Sequence, residues 1–116
     1  MRHLLKKKHF NMSRGHYKML FKNLCNSLIK YEKIKTTIKR AKEIKKIIEP
    51  IINRSKVNIL HNKRIVYSYL NNRNNVYKLF NDIGYRYKNR NGGYTRINKL
   101  YYRKGDSSLI VCISLV

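Results

Sequence analysis

Apolar residues recur at three- and four-residue steps near the start of the chain, where Tyr17, Leu20, Phe21, Leu24 and Leu28 fall on one face of a helix. Lys18, Lys22 and Lys30 fall largely on its other faces, and Ser13 is placed to cap its first turn. The segment Lys33-Ile34-Lys35-Thr36-Thr37 is short and ends on two β-branched residues, which predicts a strand. Thr37 then caps a second helix whose apolar positions are Ile38, Ala41, Ile44, Ile48, Ile51 and Ile52. Pro50 interrupts that pattern and predicts a kink or restart near Glu49, because proline removes a backbone donor and crowds the preceding turn. A third helical region begins near His61 and carries Ile65, Val66, Tyr69 and Leu70. The run Asn71-Asn72-Arg73-Asn74-Asn75 predicts a break, since asparagine side chains compete for the backbone. Helical spacing resumes with Val76, Leu79, Phe80 and Ile83, and Gly84 is read as a C-terminal cap. Gly92-Gly93 opens a hairpin with strands from about Tyr94 to Tyr102 and from Leu109 to Leu115, turning at Lys104-Gly105-Asp106. The order predicts an α+β domain over residues 13–116, with several helices on one face of a small sheet that includes the C-terminal hairpin. Residues 1–12, basic and poor in residues to bury, predict an extended N-terminal arm.

Charge narrows the function. Twenty-eight Lys and Arg face five acids, a formal net charge of +23 over 116 residues. Self-repulsion of that size is relieved most simply by a polyanion, and nucleic acid is the densest available. Codon drift toward A and T would enrich Lys and Asn, but acidic codons are A-rich too, so drift does not explain so few acids. The longest apolar run, Leu109 to Val116, is too short for a membrane span, and no secretory leader is expected ahead of the basic arm. Cys25 and Cys112 read as reduced, buried thiols. No Cys-x-x-Cys or His-x-x-x-His pair suggests a metal site, and no cofactor is expected. The five acids are scattered; Glu43 and Glu49 read as surface partners of neighbouring lysines. Gly92-Gly93 lacks the Gly-Lys-Ser/Thr ending of a phosphate loop. An enzyme is therefore not expected.

The residues expected to touch RNA are Arg2, His3, Lys6, Lys7, Lys8 and His9 in the arm, and Arg14 and Lys22 on the first helix. Lys35, Lys39 and Arg40 follow around the first strand, and Arg86, Lys88, Arg90, Tyr94 and Arg96 complete the set. The last group alternates rings that can stack on bases with cations that can pair with phosphate, as in Tyr85-Arg86-Tyr87-Lys88. Tyr85 and Tyr87 lean toward RNA contact, while Tyr94, Tyr101 and Tyr102 serve equally well as core residues with their hydroxyls in water. A free DNA-compacting or regulatory protein would need a groove-reading helix, and an RNA-processing enzyme would need a catalytic cluster; neither pattern is seen.

An ordered set of strings resembles the family of the seventeenth protein of the bacterial large ribosomal subunit. Met1-Arg2-His3 opens the chain, followed by Phe21-Lys22-Asn23, Ser27-Leu28 and Ile34-Lys35-Thr36-Thr37. Ala41-Lys42-Glu43, Glu49-Pro50-Ile51-Ile52, Lys78-Leu79-Phe80-Asn81, Gly92-Gly93-Tyr94-Thr95-Arg96-Ile97 and Lys104-Gly105-Asp106 complete it. The resemblance covers nearly the whole chain. It departs at Leu4-Leu5, where the family is more polar, and in a C-terminus without the variable tail of many members. The resemblance implies an α+β fold and an arm that enters RNA. It also implies a structural place in the large subunit, on large-subunit ribosomal RNA and beside other ribosomal proteins, with no membrane and no small-molecule substrate. The compartment it implies is the cytoplasm of a bacterium, with an organellar ribosome as the alternative.

Overall fold

A computed structural model describes residues 10–116. The RNA-contact residues Arg2, His3, Lys6, Lys7, Lys8 and His9 lie outside the described residues.

Helix α1 (Arg14–Tyr31) starts where expected, with the Ser13 hydroxyl accepting from the His16 amide at 3.3 Å. It ends at Glu32, whose left-handed backbone (φ 60°) lets its amide reach the Leu28 carbonyl and turns the chain directly into β1 (Lys33–Thr37). Helix α2 (Ile38–Ser55) follows without a loop. Of the kink or restart expected near Glu49, the restart does not occur: α2 runs through Pro50 as one helix. Pro50 lies on the exposed side, and the turn beyond it buries Ile51, Ile52 and Ser55. Two buried isoleucines contribute about 1.5–3 kcal/mol each, which outweighs the proline's cost of about 3 kcal/mol.

Helix α3 (Leu60–Leu70) and helix α4 (Arg73–Lys78) are separated by Asn71, in left-handed conformation, and Asn72. The expected asparagine break is thus two residues wide. Asn72 caps α4 by accepting from the Asn75 amide at 3.1 Å. Asn75 is buried, and its amide group donates to the carbonyl and side-chain oxygens of Asn26, which itself donates to the Leu70 carbonyl. That network fastens the α3–α4 corner to α1. Beyond α4 the chain widens into a π-helical turn (Leu79–Ile83) and closes with the short α5 (Gly84–Arg86). The wide turn lets the neighbours Leu79 and Phe80, with Ile83, all face inwards.

Strands β2 (Thr95–Tyr102) and β3 (Leu109–Leu115) form the expected hairpin. β3 lies at the centre of a three-stranded antiparallel sheet, with β1 on one side and β2 on the other. Period-two alternation divides the sheet. Ile34, Ile97, Leu109, Val111, Ile113 and Leu115 join the core with α1 and α2, whereas Ile110 and Cys112 lie on the opposite face. Helices α1 and α2 touch both the sheet and α3, so they form the middle of the molecule. Phe10 sits at the root of the expected arm and packs on Tyr17 and Phe21, with ring centroids 5.8 and 5.2 Å away.

Gly84 is not a cap. Its backbone is ordinary right-handed helix, and its role is close approach: an added Cβ would sit 2.4 Å from the Ser55 carbonyl oxygen and 2.9 Å from its Oγ. Glu43 does pair with the neighbouring Lys46, but from a buried position, and Glu49 pairs with no lysine among the described residues. Glu43 is buried and accepts from the Tyr17 hydroxyl at 2.7 Å, with Lys46 at 3.5 Å. Glu49 accepts from the buried Thr95 hydroxyl at 3.0 Å. Each thereby ties α2 to a neighbouring element. Burial, and then Glu43, push the Tyr17 phenol far above its usual range. Both cysteines are free and buried, and burial pushes the Cys25 thiol up to about 12.

Two predictions follow from these contacts. Gly84→Ala should destabilise the fold by about 1–3 kcal/mol, because the α2–α5 crossing must open; urea denaturation measures it. The second concerns Glu32, which accepts from Arg86 at 2.8 and 3.1 Å and pairs with Lys78 at 3.2 Å. The Arg86 hydrogen bonds chiefly, and Lys78 secondarily, hold its carboxyl down at about 2 from an ordinary 4.5, against a smaller opposing effect of burial. A lowered carboxyl stabilises the fold fully above the unfolded value, and this is lost as pH falls from 4.5 toward 2. The pair is about one-third exposed, so solvent screening reduces its contribution to about 1 kcal/mol. Glu32→Gln should lower stability by that amount at neutral pH and by little at about pH 2, where the folded carboxyl is itself protonated. Urea titrations at the two pH values decide it.

Candidate nucleic-acid interface

Antiparallel pairing puts cross-strand partners on the same face, so the register of β3 assembles the face turned away from α1 and α2. Lys33 stands opposite Ser114, which stands opposite Arg96; Lys35 stands opposite Cys112, which stands opposite Asn98. Two lysines from one edge strand and an arginine from the other thus flank a centre of small side chains. Lys33, Lys35, Arg96 and Asn98 are exposed. At the end of this face Tyr101 pairs with Ile110, after a bulge between Lys99 and Tyr101 shifts the register, and Tyr101 and Tyr102 remain 56% and 69% exposed. Lys39 and Arg40 extend the charge from β1 into the first turn of α2, where both are exposed.

The remaining expected contacts divide. Arg14 at the start of α1 is exposed, and Lys22 is half-buried further along that helix. Lys88 and Arg90 are exposed in the loop after α5, with the Arg90 Nε donating to the Gly92 carbonyl at 3.2 Å. Arg86 is committed internally. It bridges Glu32 and Asp82, whose carboxylates raise its pKa still further, so its charge is already answered by the protein.

Tyr94 is a core residue, only 2% exposed, so its ring is no platform for a base. Its hydroxyl donates to Asn53 Oδ1 at 3.2 Å or the Arg90 carbonyl at 3.0 Å, and the Lys56 ammonium sits 4.9 Å from its ring centroid. Lys56 also donates to the Arg90 carbonyl. Tyr87 is likewise buried, packs 5.2 Å from Tyr94, and donates to the Val116 carbonyl at 2.5 Å. Tyr85 is 77% exposed. In the Tyr85–Tyr94 region the core therefore claims two of the three rings.

Lys33, Asn98 and Tyr101 were not singled out from the sequence as parts of one surface. The signal was present in Lys33-Ile34-Lys35, a cation–apolar–cation alternation of the kind a half-buried strand requires. What the sequence lacked was the pairing partner that brings those lysines beside Arg96.

The electrostatic balance follows from the acids. Glu32, Asp82 and Asp106 are ion-paired or hydrogen-bonded to arginines, and Glu43 and Glu49 serve as internal acceptors. All five acids of the chain are thus engaged within the fold. Among the described residues, ion pairs engage only Lys46, Lys78, Arg86 and Arg103 of the basic side chains. Most of the positive charge is left facing outward, and no group of three or more potential ligands among the described residues could hold a metal ion. No helix among them is long and apolar enough to cross a membrane. What the arrangement can do chemically is bind phosphate along a surface.

Comparison with known proteins agrees with this fold and charge. The family model described as ribosomal protein L17 matches residues 20–116. The large ribosomal subunit protein bL17 of Wigglesworthia glossinidia brevipalpis is 44% identical over 113 residues, covering 97% of this chain and 93% of that protein. With most of the chain matched by both, the chain belongs to the ribosomal protein L17 family.

Proposed function

We propose that the chain is a structural constituent of the large ribosomal subunit that binds and stabilises large-subunit ribosomal RNA, in the cytoplasm of a bacterium. The protein touches RNA through the exposed Lys33, Lys35, Arg96 and Asn98 on the sheet face turned away from α1 and α2, and through Lys39 and Arg40 at the start of α2. Lys88 and Arg90 add a second contact. Arg14 and Lys22 add a third along α1, and the arm residues Arg2, His3, Lys6, Lys7, Lys8 and His9 reach further into the RNA. Neighbouring ribosomal proteins complete its surroundings. Its part in assembly is to hold RNA segments together, with no reaction catalysed.

The observation that carries this reading is the disposition of charge: every acid is engaged by a partner within the chain, while most of the described cations are in no ion pair. A surface of that kind gains free energy only when phosphates release their counterions to it.

Sucrose-gradient sedimentation of the tagged protein tests the reading. It should remain with the large subunit after a wash in about 0.5 M salt, where simple counterion-driven binding is greatly weakened. Recovery at the top of the gradient, with nucleic acid of mixed length, would instead mean a free nucleic-acid-binding protein. In direct binding to ribosomal RNA fragments, neutralising about ten phosphates gives a log–log salt slope near −7 on single strands. Lys35→Ala and Arg96→Ala should each make that slope shallower by about 0.7–1. Arg86→Ala should leave the slope unchanged and lower the melting temperature, because its charge is spent on Glu32 and Asp82.

A further inference from the structure

The chain contains one five-residue pattern twice, on the two helices that meet at the Asn71–Asn72 corner. Lys63-Arg64-Ile65-Val66-Tyr67 lies on α3 and Arg73-Asn74-Asn75-Val76-Tyr77 on α4. In each, the first residue is a cation and the last a tyrosine, four positions on, so cation and ring share one helical face. The corner brings the two faces together around a groove of about 400 Å³, open to solvent, with Phe80 and Val76 among its lining residues. Tyr67 and Tyr77 are 42% and 73% exposed, whereas Phe80 is 5% exposed. The Lys63 ammonium reaches over the Phe80 ring, 6.0 Å from its centroid, and Asn81 adds an amide to the wall. No carboxylate lines the groove; Asp82, next in sequence, is held by Arg86.

We infer that this groove is a seat for an unpaired base of single-stranded RNA. The base stacks on the tyrosine rings above the Phe80 floor, Lys63 and Arg73 take the phosphates on its two sides, and Asn81 meets the base edge. A site lined by aromatic rings and two cations, with no acid, matches a nucleotide in both its parts, the flat apolar base and the anionic backbone. An apolar side chain of a protein neighbour would use the rings and leave both cations without a partner. Phe80 also lines a second depression, with Lys56, Tyr85 and Lys88 among its other residues, so the same composition continues along the surface for an adjoining nucleotide. The inference rests on the RNA-binding reading above and adds a base-recognising site, because the sheet face offers chiefly charge.

Fluorescence anisotropy with two labelled oligomers tests it, using the full chain at about 0.2 M salt. One is a six-nucleotide oligoadenylate; the other carries the same phosphates on abasic sugars. The parent should prefer the base-bearing oligomer by about tenfold or more, the scale of stacking one base. Tyr67→Ala/Tyr77→Ala should bring that ratio near one while leaving the salt slope unchanged, and Tyr67→Phe/Tyr77→Phe should keep it. If the double alanine variant does not fold, Tyr77→Ala alone serves, since that side chain is largely in solvent. Salt-dependent binding with no preference for bases in the parent would overturn the groove and leave the charge reading standing. A preference that survives the alanine variants would also overturn it, placing the stacking on other rings. Failure to bind either oligomer, or ribosomal RNA fragments, would overturn both readings.

Discussion

The position of β3 at the centre of the sheet is the constraint on which the rest of the structure depends. β1 is only five residues long and, among the described residues, pairs with β3 alone. The row of its backbone groups that faces the sheet is satisfied because Leu109–Leu115 returns to lie between it and β2. That single strand fixes which side of β1 faces the helices. A slip of one residue would turn Ile34 out to solvent and the two lysines into the core. It also sets Lys33 and Lys35 across from Arg96, which no local feature of either segment could do. The core follows from the same choice, since Val111 and Ile113, fully buried, are the residues against which α1 and α2 close.

A second theme is the use of scarce acids. In a chain with so large an excess of cations, a carboxylate left on the surface would weaken any attraction to phosphate. Here each acid has a structural task. Glu32 holds the start of β1 to α4 and α5 through Lys78 and Arg86, Asp82 holds Arg86 from the other side, Glu43 and Glu49 tie α2 to α1 and β2, and Asp106 shapes the hairpin turn with Arg103 and Ser108. Charges that pair within the fold and charges that face outward are thereby kept distinct. Arg86 and Arg96 have the same chemistry and opposite duties.

Much of the fold was legible because it is written in periodicity. The bounds of β1 and β3, the Ser13 cap and the apolar face of α2 were all readable from local pattern, as was the hairpin turn. The departures share one physical origin: tertiary packing overrode a local rule. Pro50 is tolerated because the following turn is buried, and Gly84 continues a helix because Ser55 needs the space its side chain would fill. The rings of Tyr87 and Tyr94 looked available in an aromatic-and-basic run, yet the space between α2 and the C-terminal strand required both. Surface assembly was less legible still. Lys35 and Arg96 could be named one at a time, but their meeting depends on strand order, and the tyrosines at the α3–α4 corner depend on a two-residue turn.

The span between β1 and β3 has a bearing on how the chain is made. Some seventy residues separate Thr37 from Leu109, so at about 5–20 residues per second β1 waits roughly 4–15 s for its partner to be synthesised. Over that interval it is a strand-forming segment with nothing to pair with, the condition in which nascent chains join one another edge to edge. Lys33 and Lys35 carry like charges at alternate positions, so two waiting copies repel when they meet. The lysines that later flank the centre of the sheet act first as guards of an unfinished one.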